Sequence, residues 1–166
     1  MTATITTDAS FYVQHKKGAF AFWISTEERR IQKAGVLKGA CLTSQIAEIK
    51  AILNSLIFIK RARFSEKITH ITVNTDCMDA INLLGVMTNE QLQKHCNKSK
   101  SEALTFLPEA WLAIKVALQA EIKFKHVKAH KGKDTARKFV NDWCDKAAKK
   151  ELRQFIKNEK QNAIRN

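Results

Sequence analysis

The hydrophobic period of this chain switches twice within its first half, and that switch limits the folds open to it. Residues Ala3–Thr7, Gly18–Ser25 and Ile31–Ala40 read with the two-residue period of strands, the second rich in aromatics. Asp8 closes the first of them, and Thr26-Glu27-Glu28-Arg29 turns the chain between the second and third. The next segment changes to helical spacing: Ile46, Ile49, Leu53, Leu56 and Ile57 share one face of a helix that runs to Arg63. A hydroxyl from Thr43 or Ser44 can cap its start. Ile68–Thr75 returns to a strand, β-branched at most positions, with a helix over Met78–Val86 directly after it. Residues 88–105 are polar, lysine-bearing and weakly periodic. Pro108 opens a helix through Glu109–Ala120, Glu121–Val127 is the last strand, and a basic loop leads to a helix from about Phe139 to beyond Phe155. Strand–helix–strand units after a meander predict an α/β fold, a mixed five-stranded sheet with helices packed on it.

Size and composition narrow the class. At 166 residues the chain is expected to form a single domain over 1–166, with a basic helical extension from about residue 150. Such a length buries roughly two thirds of its unfolded surface and needs no disulfides. With 45% hydrophobic and 27% charged residues it is too apolar for disorder, and 5 Gly and 1 Pro exclude a Gly/Pro-rich linker. No apolar run approaches the ~18 residues of a membrane span. The polar start, with an acid at Asp8, predicts no signal peptide, and Met1 with the compact length favours a free-standing protein. Cys41, Cys77, Cys96 and Cys144 form no C-x-x-C pair, so they read as reduced thiols in a cytoplasmic protein. The net charge of +13 points to a polyanionic partner.

Four carboxylates carry the chemistry. Asp8 and Asp76 follow strands, and ligands gather at the carboxyl ends of strands in α/β sheets. Glu48 stands early in a helix between the small residues Ala47 and Ala51, and Asp145 lies within the last helix. Each alone has an ordinary structural use: a cap for Asp76, macrodipole stabilisation for Glu48, an i,i+4 pair with Lys149 for Asp145. Together they make an oxygen-ligand set suited to Mg²⁺, which takes carboxylates plus substrate phosphate oxygens. Two such ions about 4 Å apart can activate water and stabilise the leaving oxygen of a phosphodiester.

Five short motifs occur in order: Thr6-Thr7-Asp8-Ala9-Ser10, Thr43-Ser44-Gln45-Ile46-Ala47-Glu48, Val73-Asn74-Thr75-Asp76, Val127-Lys128-Ala129-His130 and Asn141-Asp142-Trp143-Cys144-Asp145. On these the chain resembles ribonuclease H, type 1, over nearly its whole length. The resemblance implies a ribonuclease H-like fold and an endonuclease that cleaves the RNA strand of RNA/DNA hybrids, leaving 5′-phosphate and 3′-hydroxyl ends. It implies that Asp8, Glu48, Asp76 and Asp145 bind two Mg²⁺ ions, with Mn²⁺ as a substitute. His130 would be the loop histidine that assists proton transfer or product departure, a task suited to an imidazole titrating near neutrality.

The same resemblance implies that Ser10, Thr43, Ser44 and Gln45, with Asn141, read the substrate, since contact with a 2′-hydroxyl separates RNA from DNA. Lys128, Lys131 and Lys133 belong to a basic cluster that also takes in Lys123, Lys125, Arg137 and Lys138 and suits phosphates. A further series, Lys146, Lys150, Arg153, Lys157 and Lys160, runs along the last helix, and Lys94, His95, Lys98 and Lys100 match a family protrusion that grips the hybrid. Three features depart from the family pattern: no Gly before Gly18 after Asp8, Cys77-Met78 after Asp76, and a longer segment between His130 and Asp145. The expected partner is an RNA/DNA hybrid, with no membrane, no obligate protein partner and a monomeric state. Two other readings fit the residues: a same-fold nuclease for DNA or junctions, and a non-catalytic basic nucleic-acid-binding module.

Overall fold

The computed structural model describes residues 1–62, 68–98, 104–127 and 135–165. Five strands form one sheet in the order β3-β2-β1-β4-β5. β1 (Thr2–Tyr12) pairs antiparallel with β2 (Lys17–Ser25), and β2 with β3 (Arg30–Val36). β4 (His70–Thr75) lies parallel to β1 on its other side, and β5 (Glu121–His126) parallel to β4. This is the mixed sheet expected from the sequence.

Strand ends differ from the sequence reading. Asp8 does not close β1: pairing of Ala9 with Phe20, Phe11 with Gly18 and Tyr12 with Lys17 carries the strand to Tyr12. A 3₁₀ turn at Val13–His15 and Lys16 in the left-handed region (φ 47°) then reverse the chain. β3 stops at Val36 rather than Ala40, because Gly39 (φ 71°) turns the chain away and Cys41 N–H donates to Lys16 O.

Helix α1 (Ser44–Arg61) is capped by Thr43, whose hydroxyl accepts from Ile46 N–H at 3.2 Å. Its buried residues Ile46, Ile49, Ile52, Leu53, Leu56 and Ile59 recur every three or four positions and pack with Ile5, Phe22, Ile24 and Val73 in the main core. After β4, α2 (Met78–Ala80) passes into a π-helical stretch at Ile81–Val86, ended by Met87 N–H bonding to Asn82 O. Gly85 is required there, since a Cβ would stand 2.8 Å from the Phe124 ring. The weakly periodic segment contains α3 (Asn89–Lys98), started by a reciprocal box in which Thr88 N–H donates to Gln91 Oε1 and Gln91 N–H to Thr88 Oγ1. α4 (Leu107–Leu118), with Pro108 in its first turn, buries Trp111 near Phe124.

α5 (Thr135–Arg165) begins before Phe139 and crosses the opposite face of the sheet, over β1, β2 and β3. Its buried contacts there are small: Cys144 and Ala148 against Ala21, flanked by Trp23 and Trp143 in an edge-to-face pair. Among the described residues no helix is long and apolar enough to cross a membrane.

Candidate active site

β4 pairs with β1 only as far as Asn74 opposite Thr6, while β1 runs on. Beyond that point the β4 side of β1 has no neighbouring strand, and the chain connects leftward from β1 and rightward from β4. This is a switch point of the sheet, where side chains from two strand ends converge.

Asp8 stands just past the last β1–β4 pair, on the face covered by α5, since its cross-strand partner Ala21 packs under Cys144 and Ala148. The next residue supplies the free edge. Ala9 N–H donates to Asp8 Oδ1 at 2.8 Å and to Glu48 Oε1 at 3.1 Å, so one backbone group ties β1 to the first turns of α1. Ala47, fully buried among Leu37 and Cys41, lets α1 come close enough for that reach. The other Glu48 oxygen, Oε2, is buried with no hydrogen-bond partner. Asp76 follows β4 directly and is exposed. Cys144 Sγ contacts Thr6 O at 3.5 Å, which fixes the turn of α5 that carries Asp145 against β1.

The electrostatics agree with the topology. Asp8 is pushed up to about 7, first by burial and then by the charges of Asp76 and Asp145, with Ala9 N–H and Lys149 acting the other way. Glu48 is pushed up to about 9, again by burial first, then by Asp8 and Asp76. Burial, followed by the Asp8 charge, drives the Cys144 thiol to about 12, so it stays a neutral packing group. Lys149 answers part of this negative charge, with Nζ at 2.7 Å from Asp145 Oδ1 and 2.9 Å from Oδ2.

Structure and sequence reading thus bring Asp8, Glu48, Asp76 and Asp145 to one corner. Among the described residues no three His, Cys, Asp or Glu side chains form a ready-made metal cage. An Mg²⁺ site does not require one, because the ion keeps several waters and one or two carboxylates suffice. The donor set fits such an ion: hard oxygens only, mutually repelling, with a buried Glu48 oxygen left without a donor.

Of the expected substrate readers, Ser10 lies two residues along β1 from Asp8, and Thr43, Ser44 and Gln45 begin α1. Thr43 serves as the cap, while Ser44 and Gln45 make none of the capping contacts. Asn141 stands one turn before Asp145 with its Oδ1 buried and unpartnered. Lys128, His130, Lys131 and Lys133 lie outside the described residues, as does Lys100. The sequence reading overlooked Cys144 as the anchor of α5 and treated Lys149 only as a surface partner. The small-residue stripe at positions 144 and 148, opposite Ala21, was the available signal.

The RNase H family model matches residues 1–153. The fold is similar to the N-terminal RNase H domain of a Mycobacterium tuberculosis protein solved as a maltose binding protein fusion, at 14% identity and a TM-score of 0.67, covering 95% of this chain and 98% of that one. RNase H1 from the halophilic archaeon Halobacterium salinarum is similar at 12% identity and a TM-score of 0.64, covering 93% and 99%. LC11-RNase H1, isolated from compost by a metagenomic approach and solved in complex with an RNA/DNA hybrid, is similar at 15% identity and a TM-score of 0.58, covering 90% and 99%. No curated protein matches the sequence.

Proposed function

The chain belongs to the RNase H family, whose members are ribonuclease H enzymes, and from that premise we propose that it hydrolyses the RNA strand of RNA/DNA hybrids at the Asp8–Glu48–Asp76–Asp145 corner. The observation that carries this is the pairing of a buried, donorless Glu48 oxygen with a neighbouring Asp8 whose proton affinity is raised by burial first and then by Asp76 and Asp145. Four carboxylates arranged this way repel one another and any phosphate, so the corner suits a polyanion only when cations share it. Mg²⁺ or Mn²⁺ held by these four groups, as a pair in the working complex, would polarise the phosphodiester and ready a water for in-line attack that leaves 5′-phosphate and 3′-hydroxyl ends.

The protein's own residues set the stage for that chemistry. Ala9 N–H fixes Asp8 and Glu48 relative to each other, and Lys149 holds both oxygens of Asp145. Thr43 rigidifies the start of α1, from which Ser44 and Gln45 can meet a 2′-hydroxyl, with Ser10 and Asn141 on neighbouring elements. His130 takes proton transfer or product departure in this reading, with Lys128, Lys131 and Lys133 on phosphates. The hybrid-bound LC11-RNase H1 supports the substrate assignment. In this reading the protein works in the cytoplasm, which four free thiols support.

Cleavage of a hybrid labelled on its RNA strand, in Mg²⁺, Mn²⁺ or EDTA and beside duplex DNA and duplex RNA, tests the proposal. Hybrid-restricted, metal-dependent cutting that disappears in Asp76→Asn is expected. Equal cutting of duplex DNA, or cutting that survives Asp76→Asn, would overturn it.

A further inference from the structure

The family match ends at residue 153, yet α5 continues to Arg165. The continuation is docked rather than projecting. His15 Nδ1, in the turn after β1, lies 3.4 Å from Glu159 Oε2, and Lys17 Nζ sits 5.2 Å from the centre of the Phe155 ring. Leu152 is buried beneath the same stretch. Between this helix and the end of β1 runs a groove of about 590 Å³, walled by Ser10–Tyr12 on one side and by Lys149, Arg153, Lys157 and Lys160 on the other.

The groove starts at the carboxylate corner. Ser10 is two residues past Asp8, and Lys149 is the partner of Asp145. Positions 149, 153, 157 and 160 are three or four residues apart, so they share one helix face. Arg153, Lys157 and Lys160 form no ion pair with a carboxylate among the described residues, while Glu159 is engaged by His15. Like charges at this spacing repel, and a row of them beside a groove is relieved by a polyanion lying in it.

We propose that this groove extends the substrate-binding surface: it receives backbone phosphates of the RNA/DNA hybrid flanking the cleavage site, with Arg153, Lys157 and Lys160 as the contacting cations. The inference rests on the hybrid-nuclease reading above. From Asp145 to Lys160 the helix rises about 22 Å at about 1.5 Å per residue. That length matches about six nucleotides at about 3.4 Å each. Long cationic side chains along a helix face hold phosphates without reading bases, so the added contact is independent of sequence.

The test is binding of hybrids in Mg²⁺, in an Asp76→Asn background that is expected not to cut them, by fluorescence anisotropy across a salt series. One probe is short enough to fill only the carboxylate corner and the other is about six base pairs longer. The combined variant Arg153→Gln, Lys157→Gln, Lys160→Gln is expected to lose the affinity gained with length and to flatten the log–log salt slope by about 2. A charge-retaining set, Arg153→Lys, Lys157→Arg, Lys160→Arg, is expected to keep both. A control with the same change in net charge, Lys33→Gln, Lys38→Gln, Arg61→Gln, alters residues of a separate groove lined by β3 and α1. Equal flattening in that control, or retained length dependence in the first variant, would overturn the groove. Hybrid cleavage by the unaltered protein with an unchanged slope in the variant would reject the groove alone. Absence of both hybrid binding and cleavage would reject the nuclease reading and the groove with it.

Discussion

The two faces of the sheet are built on different principles. The α1 face is filled by large side chains, among them Phe22, Ile24, Ile49, Ile52 and Leu56, all essentially without solvent contact. The α5 face meets its helix through Ala21, Cys144 and Ala148. Large residues maximise buried apolar area and so carry stability, at roughly 25 cal/mol per Å². Small ones give little area but allow a close approach of helix to strand, which sets Asp145 beside Asp8. One face holds the fold together; the other positions charge at the expense of stability.

The largest expected effect separates these roles at one residue. Asp8→Asn should abolish hybrid cleavage and yet raise the melting temperature of the metal-free protein at neutral pH. The folded state holds the protons of Asp8 and Glu48 more tightly than the unfolded chain, whose values are the ordinary 3.8 and 4.5. For a carboxylate raised in this way the contribution to stability is greatest below the unfolded value and falls as pH climbs through the folded one. Metal-free stability should therefore decline from about pH 4 through 7 towards 9 as these two groups ionise. Asn at position 8 removes part of that loss, roughly 2 kcal/mol near neutrality, a rise of about 4–8 °C. Thermal melts of both proteins from pH 4 to 9 check it; a lower melting point in the variant at pH 8 would contradict the repulsion.

Substitutions on the two faces sharpen the contrast. Ile52→Ala on the α1 face should cost about 3 kcal/mol, read as a lower denaturation midpoint, while the surviving folded protein cuts hybrid at a near-normal rate. Ala148→Leu on the α5 face should cost less, about 1–2 kcal/mol from overpacking, and lower cleavage at least tenfold by lifting Asp145 from Asp8. Comparable activity in both variants would mean that the close approach of α5 is dispensable.

Elements that bury one face were legible in the sequence, because their apolar residues keep the period of the element. α1, β4 and the β2–β3 pairing emerged this way. What escaped depends on partners distant in sequence. Nothing local says that β1 continues past Asp8; the pairing of Phe11 with Gly18 and Tyr12 with Lys17 decides it. The π-helical stretch after α2 likewise reflects the close fit of Gly85 against Phe124 on β5. α3 is a different case, since the Thr88–Gln91 box stands in the sequence while the helix behind it buries only Leu92 and Cys96 and so shows little apolar period. For the site, the carboxylate types and their order were readable, whereas the Ala9 N–H link and the Cys144 anchor exist only once strand and helices meet.

The smallest expected effect lies at the hinge between the carboxylate corner and the α5 continuation. Lys16 takes φ 47° at the end of the turn that returns β1 into β2, a conformation that crowds a Cβ and that glycine adopts freely. No glycine stands between Asp8 and Gly18, so the chain makes the turn with a residue that resists it. Lys16→Gly should relieve the local strain and, after the larger unfolded-state entropy of glycine, leave a gain of at most about 1 kcal/mol. Its backbone carbonyl accepts from Cys41 N–H, which keeps the turn anchored whichever side chain is present. Chemical denaturation resolves a change of that size, and a loss of stability would show that the Lys16 side chain contributes more than its backbone strain costs.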